Sequence, residues 1–308
     1  VVRGVVKCFT TDNLILITSQ GNFLQVPIFR LSEIKWKDEG KHINEIGALG
    51  NNEKIVGGFV VEEYKEGIFV TMLSKNGQIK RTPLEEFQTT RIARTVKAFN
   101  LAKGDELVKM VVTNGEKNLL IAASDGTTSL FNENELEPLS LKAGGVKAIA
   151  RLSDDAYLVT LLALDKKETL LGVIVKEQSA ITIRSDKLTL GKRMGVRDNL
   201  FGVYLSNPVT LLGIVECDKN KIAEVVLTNR IRDKIDFVNV SNKPLGMKLK
   251  PGNLDLASKE NISDISYYDT MVINSETKVY SNKKQSKKTA EEKKEKREYS
   301  LSDYIDFD

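Results

Sequence analysis

The 308-residue chain has one histidine, two cysteines, one tryptophan and no run of 18 apolar residues. Each scarcity excludes something. With His42 alone, neither a histidine-based triad nor a multi-histidine metal site can be assembled. Cys8 and Cys217 lie too far apart in sequence to suggest metal-ligand or disulfide spacing. They are expected to be two buried free thiols in a reducing cytosol. Without a long apolar run there is no membrane-spanning helix, and no secretory leader pattern opens the chain. A P-loop, a GxSxG elbow and an HExxH helix are all missing, and Asp154-Asp155 falls in a turn signal where paired carboxylates face water. Aromatic residues make up 6% of the chain, too few to supply a large apolar docking patch. Helical periodicity is poor throughout. The chain opens on VVRGVVKCF without Met and reads as a piece of a longer protein.

What the sequence does have is a repeat. Residues 68–87, IFVTMLSKNGQIKRTPLEEF, read as two β-branched strands around Asn76-Gly77, a pair suited to a type I′ hairpin. Related hairpins occur at 14–26, 119–131, 171–183, 223–235 and 270–280, with turns near Gly21, Gly126, Ser179, Arg230 and Glu276. The spacing is roughly 46–56 residues, that of propeller-like blades. The later turns lack glycine, so they should be longer or differently shaped. After each hairpin comes at most a single helical turn (LEEF at 84–87, ENEL at 133–136). A short apolar strand, a polar turn and a longer apolar strand follow, as in 96–112, 146–162 and 200–215. A four-stranded unit of this size cannot bury both faces of its own sheet, whereas stacking units around a circle does so. Six hairpins predict a disc of about six four-stranded blades, all-β, over residues 1–281. The opening strand should complete the sheet of another unit. Residues 282–298, NKKQSKKTAEEKKEKRE, contain no aliphatic residue larger than alanine, so 282–308 are expected to be a disordered charged tail. Trp36, between charged residues near His42, is expected to anchor a loop on the blade surface.

The net charge of +4 says little by itself; the placement of the cations says more. The linkers 89–98 (TTRIARTVKA), 141–151 (LKAGGVKAIAR) and 190–199 (LGKRMGVRDN) combine glycine with basic residues. They supply Arg91, Arg94, Lys97, Lys142, Lys147, Arg151, Lys192, Arg193 and Arg197. The second hairpin strands and turns add Lys80, Arg81, Arg184, Arg230, Arg232 and Lys234. In a ring of repeats these positions fall at equivalent places on the rim. They form an interrupted basic belt suited to duplex phosphates, which positions DNA without reading its sequence.

The same residues carry a family resemblance. SEIKWKDEGKHI (32–43), NGQIKRTPLEEF (76–87), FNLAKGDELVKM (99–110) and LKAGGVKAI (141–149) resemble signatures of the C-terminal domain of the A subunit of bacterial type IIA topoisomerases. The resemblance covers about residues 1–240 and is nearer to the topoisomerase IV branch than to gyrase. It implies a β-pinwheel, a propeller-like disc whose blades exchange strands, with DNA bent over a basic rim. The QRRGGKG-type box of the gyrase branch has only degenerate equivalents here, in LKAGGVKAI and GKRMGVRD. This disfavours tight wrapping and favours orienting segments for decatenation and relaxation. The resemblance also implies partners: double-stranded DNA, the remainder of the same polypeptide, and the separate ATPase chain of an A2B2 enzyme located at the bacterial nucleoid. No cofactor belongs to the domain itself, and ATP and Mg²⁺ would be used elsewhere in the full enzyme. The DNA-cleaving tyrosine would lie outside the chain, and none of Tyr64, Tyr157, Tyr204, Tyr267 or Tyr268 takes its place. The rival readings are a gyrase-type wrapping domain, a protein-interaction propeller with no nucleic-acid role, and an enzyme fragment acting in a central channel.

Overall fold

In the computed structural model, residues 6–35, 37–150, 152–165, 168–202, 209–217, 222–266 and 272–279 are described. The strand Asn118–Ala123 shows how the sequence builds the architecture. Neighbouring side chains on a strand point to opposite faces. Leu119, Ile121 and Ala123 join one apolar cluster with Leu73 and Ile79; Leu120 and Ala122 join another with Leu171, Val173 and Ile181. A strand apolar on both faces needs a sheet on each side of it, and the repeat provides one at every step. Four clusters result, each shared by two successive sheets.

There are five sheets among the described residues, not six blades. Their hairpins are Asn13–Thr18 with Asn22–Pro27, Phe69–Ser74 with Gln78–Pro83, Asn118–Ala123 with Thr127–Asn132, Leu170–Val175 with Ser179–Arg184, and Ile222–Leu227 with Arg232–Asp236. A third strand flanks the first strand of each hairpin: Ile55–Val61, Leu107–Thr113, Leu158–Leu164, Leu211–Glu216 and Ile262–Ser266. These inner strands line a central cavity of about 660 Å³.

The outer edge of each of the first four sheets comes from further along the chain. Thr95–Lys97, which follows the second hairpin, pairs with the first hairpin. Val146–Lys147, after the third, pairs with the second; Asp198–Asn199, after the fourth, pairs with the third. In the fourth sheet the same place is marked by a bridge from Thr182 to Asn242. Each of these blades therefore borrows its outermost strand from the linker that follows the next hairpin, the strand exchange that the resemblance implied.

Among the described residues the expected sixth hairpin does not form. Of its described residues, Val272–Ile273 lie parallel to Ile55–Val61 in the first sheet. Lys65 Nζ holds the following turn through Ser275 O at 2.6 Å. The fifth sheet exposes Glu224, Arg232, Lys234 and Asp236 on its outer face and turns Ala223, Val225, Ile235 and Phe237 inward. A polar outer face ends a stack of repeats, which is why a sixth unit is not required. Among the described residues no buried apolar cluster joins the fifth sheet to the first. Residues 1–5, Trp36 and the tail 282–308 lie outside the described residues; residues 6–9 form no strand. Cys217 is buried as expected, but Cys8 is exposed.

The hairpin turns also correct the sequence reading. Only Gly77, at φ 101°, is left-handed in the second turn. A type I′ turn needs positive φ at both central residues, so this is a type I turn closed by a left-handed glycine. Gly21 (φ 73°) and Gly126 (φ 85°) stand at the same place in theirs. The later turns keep this shape: Gln178 (φ 52°) and Arg230 (φ 69°) occupy the glycine position. Arg230 N donates to Leu227 O at 2.8 Å, as Gly21 N does to Thr18 O. A left-handed non-glycine residue costs about 1–2 kcal/mol. Arg230→Gly should therefore raise stability by about 0.5–1 kcal/mol in urea unfolding, after the extra freedom of glycine in the unfolded chain is subtracted. Gln178 differs, because its amide donates to Ser258 O at 2.6 Å and also to Glu260 O. Replacing it with glycine should destabilise.

Candidate nucleic-acid interface

The turn glycines mark where the exchanged segments dock. Gly21 O accepts from Ala98 N and Phe99 N, both at 2.8 Å, Gly77 O accepts from Ala148 N at 2.8 Å, and Gly126 O accepts from Leu200 N at 3.0 Å. A Cβ on Gly21 would lie 2.5 Å from Phe99 O, and one on Gly126 2.9 Å from the Phe201 ring. Glycine is needed there for close approach as well as for its φ. In the fourth blade Glu177 O accepts from Gly252 N at 2.9 Å, which identifies 241–252, SNKPLGMKLKPG, as the fourth exchanged segment.

These four segments carry the positive charge. Residues 89–98, 141–151, 190–199 and 241–252 have net charges of +3, +3, +2 and +3, eleven in all, against +4 for the whole chain. Everything else is therefore net −7. The exchange sets the segments on the edge opposite the central cavity. Arg91, Arg94, Lys97, Lys142, Lys147, Lys192 and Arg197 are all exposed there. Arg193 is half-buried: its amide donates to Glu135 Oε2 at 2.6 Å and its guanidinium to Lys147 O. Arg151 lies outside the described residues. The sequence reading missed Lys243, Lys248 and Lys250, although KPLGMKLKPG repeats the glycine-and-cation composition of LGKRMGVR.

Two expected site residues are not on the surface. Lys80 is fully buried, and its ammonium donates to Ala98 O (2.8 Å), Leu141 O (2.8 Å) and Ala143 O (3.0 Å). It ties one exchanged segment to the next. Arg81 is 3% exposed, 3.3 Å from the buried Glu133 carboxylate and 3.6 Å above the Phe69 ring. Both are withdrawn from the interface, because a phosphate cannot reach them. Arg184 is exposed but engaged, at 2.6 Å from Glu168 and 3.1 Å from Asp186. Arg230, Arg232 and Lys234 sit on the fifth hairpin, away from the exchanged segments; Lys234 is 3.8 Å from Glu224.

Burial pushes the Lys80 amine down to about 8, with the charge of Glu86 acting the other way. Between that value and the ordinary 10.5 the folded chain binds fewer protons than the unfolded chain, so stability rises with pH across this window. The urea stability of wild type relative to Lys80→Met should rise from pH 7 towards pH 10. A constant difference would show that the amine titrates normally.

The central cavity is a concave surface of mixed charge. Lys109, Lys117, Asp165, Glu216, Asp264 and Glu276 contribute to its lining, and Lys117 is paired with Asp165. Among the described residues no group of three or more His, Cys, Asp or Glu could hold a metal ion. Nor is any helix long and apolar enough to cross a membrane. His42 caps the short helix Ile43–Ile46, its Nδ1 accepting from Asn44 N at 3.3 Å.

Fold and site together define a strand-exchanging β-propeller with a basic rim. The chain belongs to the DNA gyrase C-terminal domain, beta-propeller, family, whose model matches residues 12–62, 69–114 and 117–175, just over half of it. It is 32% identical over 172 residues to the A subunit of DNA topoisomerase 4 from Bacillus subtilis (strain 168), covering 56% of this chain and 21% of that protein. With the Staphylococcus epidermidis protein of the same name it shares 29% identity over 164 residues, covering 53% and 20%. The chain thus spans about a fifth of the length of the curated relatives it matches. Among solved structures, its fold is similar to the C-terminal domain of DNA topoisomerase IV, with TM-score 0.77 at 21% identity, covering 83% of this chain and 79% of that one. It is also similar to the DNA gyrase A C-terminal domain, with TM-score 0.67 at 15% identity, covering 84% and 83%.

Proposed function

We propose that this chain is the non-catalytic DNA-binding and DNA-bending domain of the A subunit of a topoisomerase IV. The observation that carries this is the charge separation: +11 on four exchanged edge segments, −7 everywhere else. A convex edge with cations at four successive blades fits the phosphates of a bent duplex and is indifferent to base sequence. The domain orients DNA segments while the rest of the enzyme performs ATP-dependent decatenation and relaxation. DNA is its direct partner. Its indirect ones are the remainder of the same polypeptide and the separate ATPase chain, in an A2B2 assembly at the nucleoid. It needs no cofactor, since ATP and Mg²⁺ act on other regions, and the tyrosine that attacks DNA belongs outside this chain. We assign residues 1–281 to this domain and read 282–308 as a separate charged tail. The absence of a QRRGGKG-type box supports bending and segment orientation over tight chiral wrapping.

Fluorescence anisotropy with a duplex of about 40 bp tests the reading. If six or more phosphates are neutralised, affinity should fall by about 10³-fold between about 50 and 200 mM salt, equally for unrelated sequences. Binding that ignores salt, or no binding at the lower salt, would overturn it.

A further inference from the structure

The third exchanged segment holds Met194 in a backbone conformation that the fourth gives to a glycine, Gly246. Both backbones are left-handed, at φ 67° and 71°. Glycine adopts that conformation freely, whereas a methionine there is held against its preference. Its side chain is not buried in return, being 39% exposed, with Leu190 at 57% and Val196 at 54% beside it in sequence. The knuckle that carries it is well anchored. Gly195 N closes the turn on Lys192 O at 2.8 Å. Arg193 is held from two sides, by Glu135 and by the carbonyl of Lys147 on the neighbouring exchanged segment. The chain thus presents an apolar tip on a fixed support among Lys192, Arg193 and Arg197.

Phosphates offer such a tip no partner, but the edge of a base step does. We infer that Met194 is a wedge: its side chain enters the minor groove of the bound duplex and partly unstacks one base step, while the neighbouring cations hold the flanking phosphates. The inference rests on the DNA-binding reading above and adds a localised kink to it. Its position in the third segment sets the kink near the middle of the arc of five blades.

The test uses this chain, Met194→Gly and Met194→Leu with a duplex of about 40 bp carrying end-to-end FRET dyes, and with 2-aminopurine placed at flexible TA steps. Met194→Gly relieves the backbone and should melt no lower than wild type, so a lost signal cannot be blamed on unfolding. Expected are an unchanged salt dependence, loss of at least half of the binding-induced FRET gain, and loss of the 2-aminopurine brightening. Met194→Leu should keep both signals. If Met194→Gly bends and brightens DNA as wild type does, the wedge is wrong while the basic rim stands. If wild type binds no DNA even at low salt, both readings fall.

Discussion

Arg81→Met should cost about 3–5 kcal/mol in urea unfolding, the largest single-residue effect expected here. The guanidinium lies between two blades. It belongs to the second hairpin, but its Nη1 donates to Glu133 O (3.3 Å), Asn134 Oδ1 (3.2 Å) and Leu136 O (3.3 Å) of the third. Glu133 is fully buried; besides Arg81 it has only neutral donors, the hydroxyl of Thr113 and the amide of Lys117 at 2.7 Å. Methionine fills most of the space but leaves a buried carboxylate without its countercharge, along with unpaired carbonyls. Arg81→Lys should recover little, because a single ammonium cannot replace a planar fork stacked 3.6 Å above Phe69. Pairing Arg81→Met with Glu133→Gln removes the stranded charge and should restore about half of the loss. If Arg81→Met fell within about 1 kcal/mol of wild type, the ion pair would not be what joins these blades.

Arg81 also shows what the sequence reading could and could not see. The repeat, the all-β class and the positions of five hairpins follow from two-residue alternation and turn composition, and the structure keeps them. The sixth hairpin, expected over 270–280, is absent among the described residues, where the strong β-formers Val272 and Ile273 extend a neighbour's sheet. Charge alone points Lys80 and Arg81 to DNA. Yet they are consecutive residues in a strand covered on both faces, flanked by the buried Ile79 and Thr82. In such a strand both members of any consecutive pair are buried, so the information needed to place them inside was present in the repeat. Strand exchange itself is a long-range pairing that no local pattern encodes; it entered only through the family resemblance. Once exchange is known, the linker after the fifth hairpin becomes an edge segment, and Lys243, Lys248 and Lys250 join the rim that the first three linkers define.

Alanine at Arg91, Arg94, Lys142, Lys147, Lys192 and Arg197 together should weaken DNA binding by about 10³-fold or more near physiological salt and flatten the salt slope by about 5. All six are exposed on exchanged segments, so each substitution should change stability by no more than about 0.5 kcal/mol, and the loss of affinity can be read as lost contact. The size of the effect follows from counterion release: each cation removed leaves one phosphate with its condensed ions. Because the edge is repeated rather than concentrated, removing the pair from any one blade should cost far less than a third of the logarithmic total if DNA can shift along the arc. A paired comparison separates this belt from general electrostatics. Arg184→Ala with Lys234→Ala removes two cations that face carboxylates at 2.6 Å and 3.8 Å and lie off the exchanged segments. That variant should bind within about twofold of wild type, since the carboxylates already offset most of the field of these cations. Equal losses per charge in the two sets, measured by anisotropy at matched salt, would mean that the chain attracts DNA through its overall field and that the exchanged edges have no special role.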